Sequence, residues 1–134
     1  LLGTLGLGWL RLVTPPDAAS AAPTKNADGQ ARLIVYRSSY YGLAIQPKLF
    51  VDGKEVGTCA PGNVINVPVK PGAHVISGRT LTEVRSSVNV PAAENVYVEC
   101  GMRIGLITGT LVLQQNTEAD AAPVVKKMLA RQAN

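Results

Sequence analysis

Residues 47–78 read PKLFVDGKEVGTCAPGNVINVPVKPGAHVISG: one Asp-Gly pair and two Pro-Gly pairs set between short runs of alternating apolar and polar side chains. Alternation with a period of two marks strands with one buried face, because successive side chains point to opposite sides of a sheet. Asp52-Gly53 fits a two-residue type I′ hairpin loop, in which both central residues take positive φ. It joins a strand ending at Val51 to a return strand in KEVGTC, and that register sets Val56 opposite Leu49. Ala60 to Gly62 and Lys70 to Gly72 form two more turns. Between them Ile65, Val67 and Val69 share a face. Pro68 lies on the other face and has no N–H for a ladder bond, so this segment is expected at a sheet edge.

The same pattern extends outward. ARLIVYRSS (31–39), AHVISGRT (73–80), EVRSSVNV (83–90), VYVECGMRIG (96–105) and LITGTLVLQQ (106–115) all read as strands, punctuated by Gly, Pro and Asn. Val96, Val98 and Cys100 fall on one face of their strand, Tyr97 and Glu99 on the other. Strands recurring every ~8–12 residues belong to sandwiches and barrels. The expected fold is mainly β: a seven- or eight-stranded antiparallel β-sandwich with a short C-terminal helix and an apolar N-terminal segment. The expected organisation is an apolar segment (1–13), a Pro/Ala-rich linker (14–30), the sandwich (31–116) and the helix (117–134). Gly101, Gly105 and Gly109 are read as sites of bulges or close packing.

In TEADAAPVVKKMLARQAN (117–134) the period changes. Val124, Val125, Met128 and Leu129 make one apolar helix face. Asp120 is the expected cap, with Pro123 in the first turn, and the helix is expected to cover a sheet edge or an open end of the sandwich. At the other end, LLGTLGLGWLRLV (1–13) resembles the apolar part of a secretory signal, and ASAA (19–22) resembles a cleavage site. Its 13 residues would reach about 20 Å as a helix, short of a bilayer core of ~30 Å. The segment is therefore read as part of a transmembrane helix, or as docked in a membrane interface or a partner's groove through Leu1, Leu2, Leu5, Leu7, Trp9 and Leu10. Trp9 and Arg11 suit a membrane boundary.

Composition narrows the function. The chain has 134 residues, 16% of them charged, with 13 glycines and nine prolines. That suits one loop-rich β domain rather than a helical bundle. Its net charge is +4, but the basic residues are dispersed and only Lys126 and Lys127 are adjacent. Nucleic-acid binding, which needs clustered Lys and Arg, is not expected. Cys59 and Cys100 have no neighbouring Cys or His to complete a zinc set. They are read as a disulfide in an oxidising compartment, or else as two buried thiols.

Tyr36, Arg37 and Ser38, then Val51, Asp52, Gly53, Lys54, Val56 and Gly57, then Pro71, Gly72 and His74 together resemble the bacterial envelope domain family DUF2846. The resemblance spans roughly residues 30–115. It implies an exported small β-sandwich, often part of a lipoprotein, with no assigned enzymatic activity. No cysteine stands in the N-terminal region to carry a lipid, so an anchor would be the apolar segment itself.

Candidate chemistry is sparse. His74, the chain's one histidine, follows a Pro-Gly turn and is expected to bond loop backbone. No nucleophile–base pair, converging carboxylate pair, phosphate loop or metal motif is read, and no cofactor is expected. Tyr40 and Tyr41 are the best contact candidates, since adjacent residues of an extended chain cannot both face the core. The expected function is a non-enzymatic accessory or structural subunit of a bacterial membrane-associated assembly. Its sandwich would face the periplasm, its partners would be other protein subunits, and the N-terminal segment would meet the membrane. The alternative is a soluble periplasmic ligand-binding module for a glycan, peptide or small molecule. With only six aromatic residues, a sugar-stacking platform would be hard to build.

Overall fold

The computed structural model describes residues 23–105 and 109–133. Leu1, Leu2, Leu5, Leu7, Trp9 and Leu10, the expected docking residues, lie outside these residues, as does the rest of 1–22. Residues 106–108, the start of the expected last strand, also lie outside them.

Among the described residues, eight strands and one helix follow in chain order: β1 (Ala31–Tyr36), β2 (Lys48–Val51), β3 (Lys54–Thr58), β4 (Val64–Val69), β5 (Gly72–Arg79), β6 (Glu83–Val90), β7 (Asn95–Ile104), β8 (Gly109–Asn116) and α1 (Glu118–Gln132). They form two four-stranded sheets, ordered β4-β1-β7-β8 and β3-β2-β5-β6. The chain is mainly β, with a short C-terminal helix. Inward faces of both sheets meet in one apolar core that includes Leu33, Val35, Leu49, Ile76, Val98 and Leu111. Ile65, Val67 and Val69 pack against that core from β4. β4 is an edge strand paired only to β1, where the missing N–H of Pro68 does little harm.

Three details depart from the sequence reading. First, the sandwich is not wholly antiparallel, because β1 and β7 pair in parallel from Arg32↔Asn95 to Tyr36↔Glu99. β4 occupies one flank of β1. The chain then crosses to the other sheet and returns at the pole where β1 begins, so β7 runs in the same direction. Side-chain alternation reports which face is buried, not which strand lies alongside. Second, Asp52 and Gly53 do take φ of 53° and 84°, as a type I′ loop requires. However, the ladder shifts between Leu49 and Phe50, so Leu49 faces Gly57 rather than Val56. A bulge adds one residue to one strand and moves every pairing beyond it.

Third, α1 lies on the outer face of the first sheet, not on an edge or an open end. Ala121, Val125 and Met128 pack on Ile34, Tyr36 and Tyr97, giving a third layer. The buried stripe is rotated from the one expected, leaving Leu129 49% exposed. Thr117, not Asp120, caps the helix: its hydroxyl accepts from the Asp120 N–H at 3.2 Å. The earlier start puts Pro123 beyond the first turn, where it removes a bond to the Ala119 carbonyl; Ala119 is exposed, so water can replace it.

β1, β7 and α1 all start at one end of the molecule, here the entry pole. There the Thr24 N–H meets the Glu118 carboxylate at 3.2–3.3 Å, and the Asn26 N–H donates to the Ala93 carbonyl at 2.6 Å. β1 and β7 finish at the far pole, as does β5.

Gly78 on β5 sets how closely the sheets approach. A Cβ there would sit 2.5 Å from Leu111 Cδ2 and 3.1 Å from the Lys48 carbonyl oxygen. Gly78→Ala is expected to lower unfolding free energy by about 1–3 kcal/mol through overpacking, readable as an earlier urea midpoint.

Candidate functional site

The far pole is organised by an arginine. Arg37 directly follows β1 and is completely buried. Its Nη1 donates to the carbonyls of Ile45 (2.7 Å) and Cys59 (2.8 Å). Its Nη2 donates to those of Tyr41 (2.9 Å) and Gly42 (3.0 Å). Its backbone N–H reaches the Asn63 carbonyl at 3.2 Å, and its own carbonyl accepts from Gly62 at 2.8 Å. No carboxylate pairs with the guanidinium among the described residues. Burial pushes its pKa below the ordinary value, and four carbonyl dipoles take the place of a counter-ion. The sequence reading placed Arg37 in a family pattern but gave it no role. The available signal was an arginine abutting the apolar run LIVY, beside a loop whose carbonyls had no strand to satisfy them.

Cys59 and Cys100 are joined, with Cα atoms 6.2 Å apart and exposures of 1% and 2%. The bond ties the residue after β3 in one sheet to β7 in the other. Of the two readings left open by the sequence, the disulfide is the one formed. Disulfides persist in oxidising compartments, which is the setting this chain suits. Among the described residues, no helix is long and apolar enough to cross a membrane.

Arg37 thus holds the 41–45 loop, and that loop displays Tyr40 and Tyr41 at 61% and 60% exposure. The two diverge, so that neither enters the core. Tyr40 borders a groove of about 240 Å³ beside the C-terminal half of α1. Tyr41 borders a hollow of about 360 Å³ over β7 and β8, the part of the outer sheet face that α1 leaves open. Leu43, Leu81 and Ile104 are also exposed. Leu81 lies in the β5–β6 turn and Ile104 ends β7, so strand direction puts all five side chains at the far pole.

His74 sits at the entry pole, away from these groups. Its Nε2 meets the Lys70 carbonyl and its Nδ1 meets Asp52 Oδ2, each at 2.6 Å. Asp52 Oδ1 also accepts from the Val75 N–H at 2.8 Å. The Asp-Gly and Pro-Gly turns are therefore clasped together, and both His74 ring nitrogens are engaged by the clasp. Among the described residues, no three His, Cys, Asp or Glu side chains gather to hold a metal ion.

The clasp makes stability depend on pH. The bond to Asp52, then that to the Lys70 carbonyl, raises the His74 pKa above its ordinary 6.5. The His74 bond, then the Val75 N–H, lowers that of Asp52 below its ordinary 3.8. The histidine contribution is full below pH 6.5 and is lost as pH rises through the raised folded value. The aspartate contribution is full above pH 3.8 and is lost as pH falls through the lowered one. Because Asp52 is half exposed, solvent limits the effect to about 1 kcal/mol. Urea midpoints across pH 4–9 should fall on the alkaline side, and His74→Gln should flatten that limb.

No family model matches the chain. No solved structure matches it either. The chain is similar to an uncharacterised protein of Haemophilus influenzae, 27% identical over 103 residues covering 75% of this chain. The match spans 60% of that relative's length.

Proposed function

We propose that this chain is a non-enzymatic accessory subunit of a bacterial membrane-associated assembly, with its sandwich in the periplasm. The supporting observation is the far pole, where Tyr41 and Ile104 share one hollow and Tyr40, Leu43 and Leu81 are exposed at the same end of the molecule. Exposed apolar side chains gathered in one region mark contact surfaces, and tyrosine is enriched in them. The disulfide supports an oxidising compartment, the resemblance to an envelope family supports the periplasm, and the apolar 1–13 stretch supports membrane association.

The test is Tyr40→Ser with Tyr41→Ser, introduced into the full-length protein in its native bacterium. Both side chains are exposed, so the unfolding free energy should hold within about 0.5 kcal/mol. On native gels of solubilised membranes the protein should leave its high-mass band. An unchanged band would refute the reading. Removal of residues 1–22, which keeps the Thr24 and Asn26 bonds of the entry pole, should likewise release the protein from the membrane fraction.

The hollow beside Tyr41 favours a second reading, a periplasmic ligand-binding module. Its volume of about 360 Å³ falls at the small end of ligand sites, roughly 300–1,000 Å³. Among the described residues Tyr41 is the one aromatic side chain lining it, which supports a peptide or small molecule over a glycan.

A further inference from the structure

The groove beside Tyr40 has a chemistry of its own. Tyr40, Gly62, Val124 and Met128 line it, and Lys127 and Arg131 complete it on the α1 side. The two cations stand four residues apart, so they project from one face of the helix. Both are exposed, and neither has an acidic partner among the described residues. Among the described residues no carboxylate lines the groove; Ser38, which also lines it, donates its hydroxyl to Glu99. It is preformed: Gln132 Nε2 donates to the Gly62 carbonyl at 2.8 Å, pinning the end of α1 to the turn that Arg37 holds.

The geometry points to this groove as the docking site for an acidic segment of a partner protein. A carboxylate of that segment bridges Lys127 and Arg131, and a neighbouring apolar side chain lodges against Met128, Val124 and the Tyr40 ring. This rests on the subunit reading above and names the kind of partner. Size and charge select the occupant. A volume of about 240 Å³ takes a side chain rather than a whole drug-sized ligand. Two cations around a concave apolar site suit one or two carboxylates, whereas an anionic membrane is met by clusters of roughly four to eight basic residues.

Fluorescence anisotropy with the full chain tests it. The probe is a fluorescein-labelled, amidated peptide, Gly-Asp-Asp-Leu-Phe-Gly, compared with its Asn-Asn counterpart. The acidic peptide should bind at least ~10-fold more tightly at low salt, and raising NaCl from ~0.05 to ~0.5 M should erase the difference. Lys127→Glu should abolish the preference. Lys126→Glu makes the same charge change on a neighbour that does not line the groove, and should keep it within ~3-fold. Equal binding of the two peptides, or equal loss in the two lysine variants, overturns the proposal. So does Lys127-dependent binding to phosphatidylglycerol vesicles with no peptide preference. An assembly disrupted by the tyrosine changes, with no preference for the acidic peptide, overturns the groove alone and leaves the subunit reading standing.

Discussion

Arg37→Met is expected to lower unfolding free energy by about 3–5 kcal/mol, enough to unfold much of a small domain. Methionine keeps the apolar stem and removes every donor. The carbonyls of Tyr41, Ile45 and Cys59 then lose the guanidinium together, while that of Gly42 keeps the Ile45 N–H. Each buried acceptor left without a donor costs about 1–3 kcal/mol, and loop relaxation toward water recovers part of the sum. Arg37→Lys should recover less than half of the loss. An ammonium offers three donors from one point, and it cannot span four carbonyls that the planar guanidinium reaches from two nitrogens. Urea unfolding gives the energy, and hydrogen exchange at residues 41–46 gives the location. A loss below about 1 kcal/mol, with that loop still protected, would contradict the role assigned to Arg37.

Breaking the Cys59–Cys100 bond should be about as damaging. The two residues are 41 positions apart, and closing a loop of that size in the unfolded chain is worth about 4 kcal/mol in the chain-entropy account. Cys59→Ala with Cys100→Ala should approach that loss and add a small cavity term, since both sites are buried. Wild-type protein should resist mild reductant while folded and lose the same stability once reduced in urea. Equal urea midpoints for the oxidised and reduced chain would refute this. The two perturbations should not add, because the Cys59 carbonyl is itself an Arg37 acceptor. A cycle of single and combined variants measures that coupling.

Features carried by local chemistry were legible in the sequence. Asp52-Gly53 set its turn through the sign of φ, Pro68 marked an edge through its missing N–H, and alternation in β4 and β7 identified the faces turned to the core. Features that depend on what lies alongside were not. The parallel neighbour of β1 follows from the route of the whole chain. The bulge at Val56, opposite Leu49 and Phe50, follows from how β3 meets β2. For the helix, Ala121 is buried and Leu129 is not, a choice decided by the outer surface of β1 and β7. At the far pole, the sequence reading required one of Tyr40 and Tyr41 to leave the core and both do, yet Arg37, which holds them there, went unread because its partners are main-chain carbonyls with no sequence signature. His74 was expected to bond loop backbone and does so through Lys70, whereas its pairing with Asp52 required two distant turns to be brought together.

Parallel β1 and β7 also set the direction in which the molecule faces. Thr24 and Asn26 are bonded beside the starts of α1 and β7, whereas Tyr41 stands against the residues that end β7. Under the proposed subunit role, a tether running through residues 1–22 would load the entry pole, where β1, β7 and α1 begin. A tether of that kind would hold Tyr40 and Tyr41 at a standoff, presented to partners arriving from the side opposite the anchor.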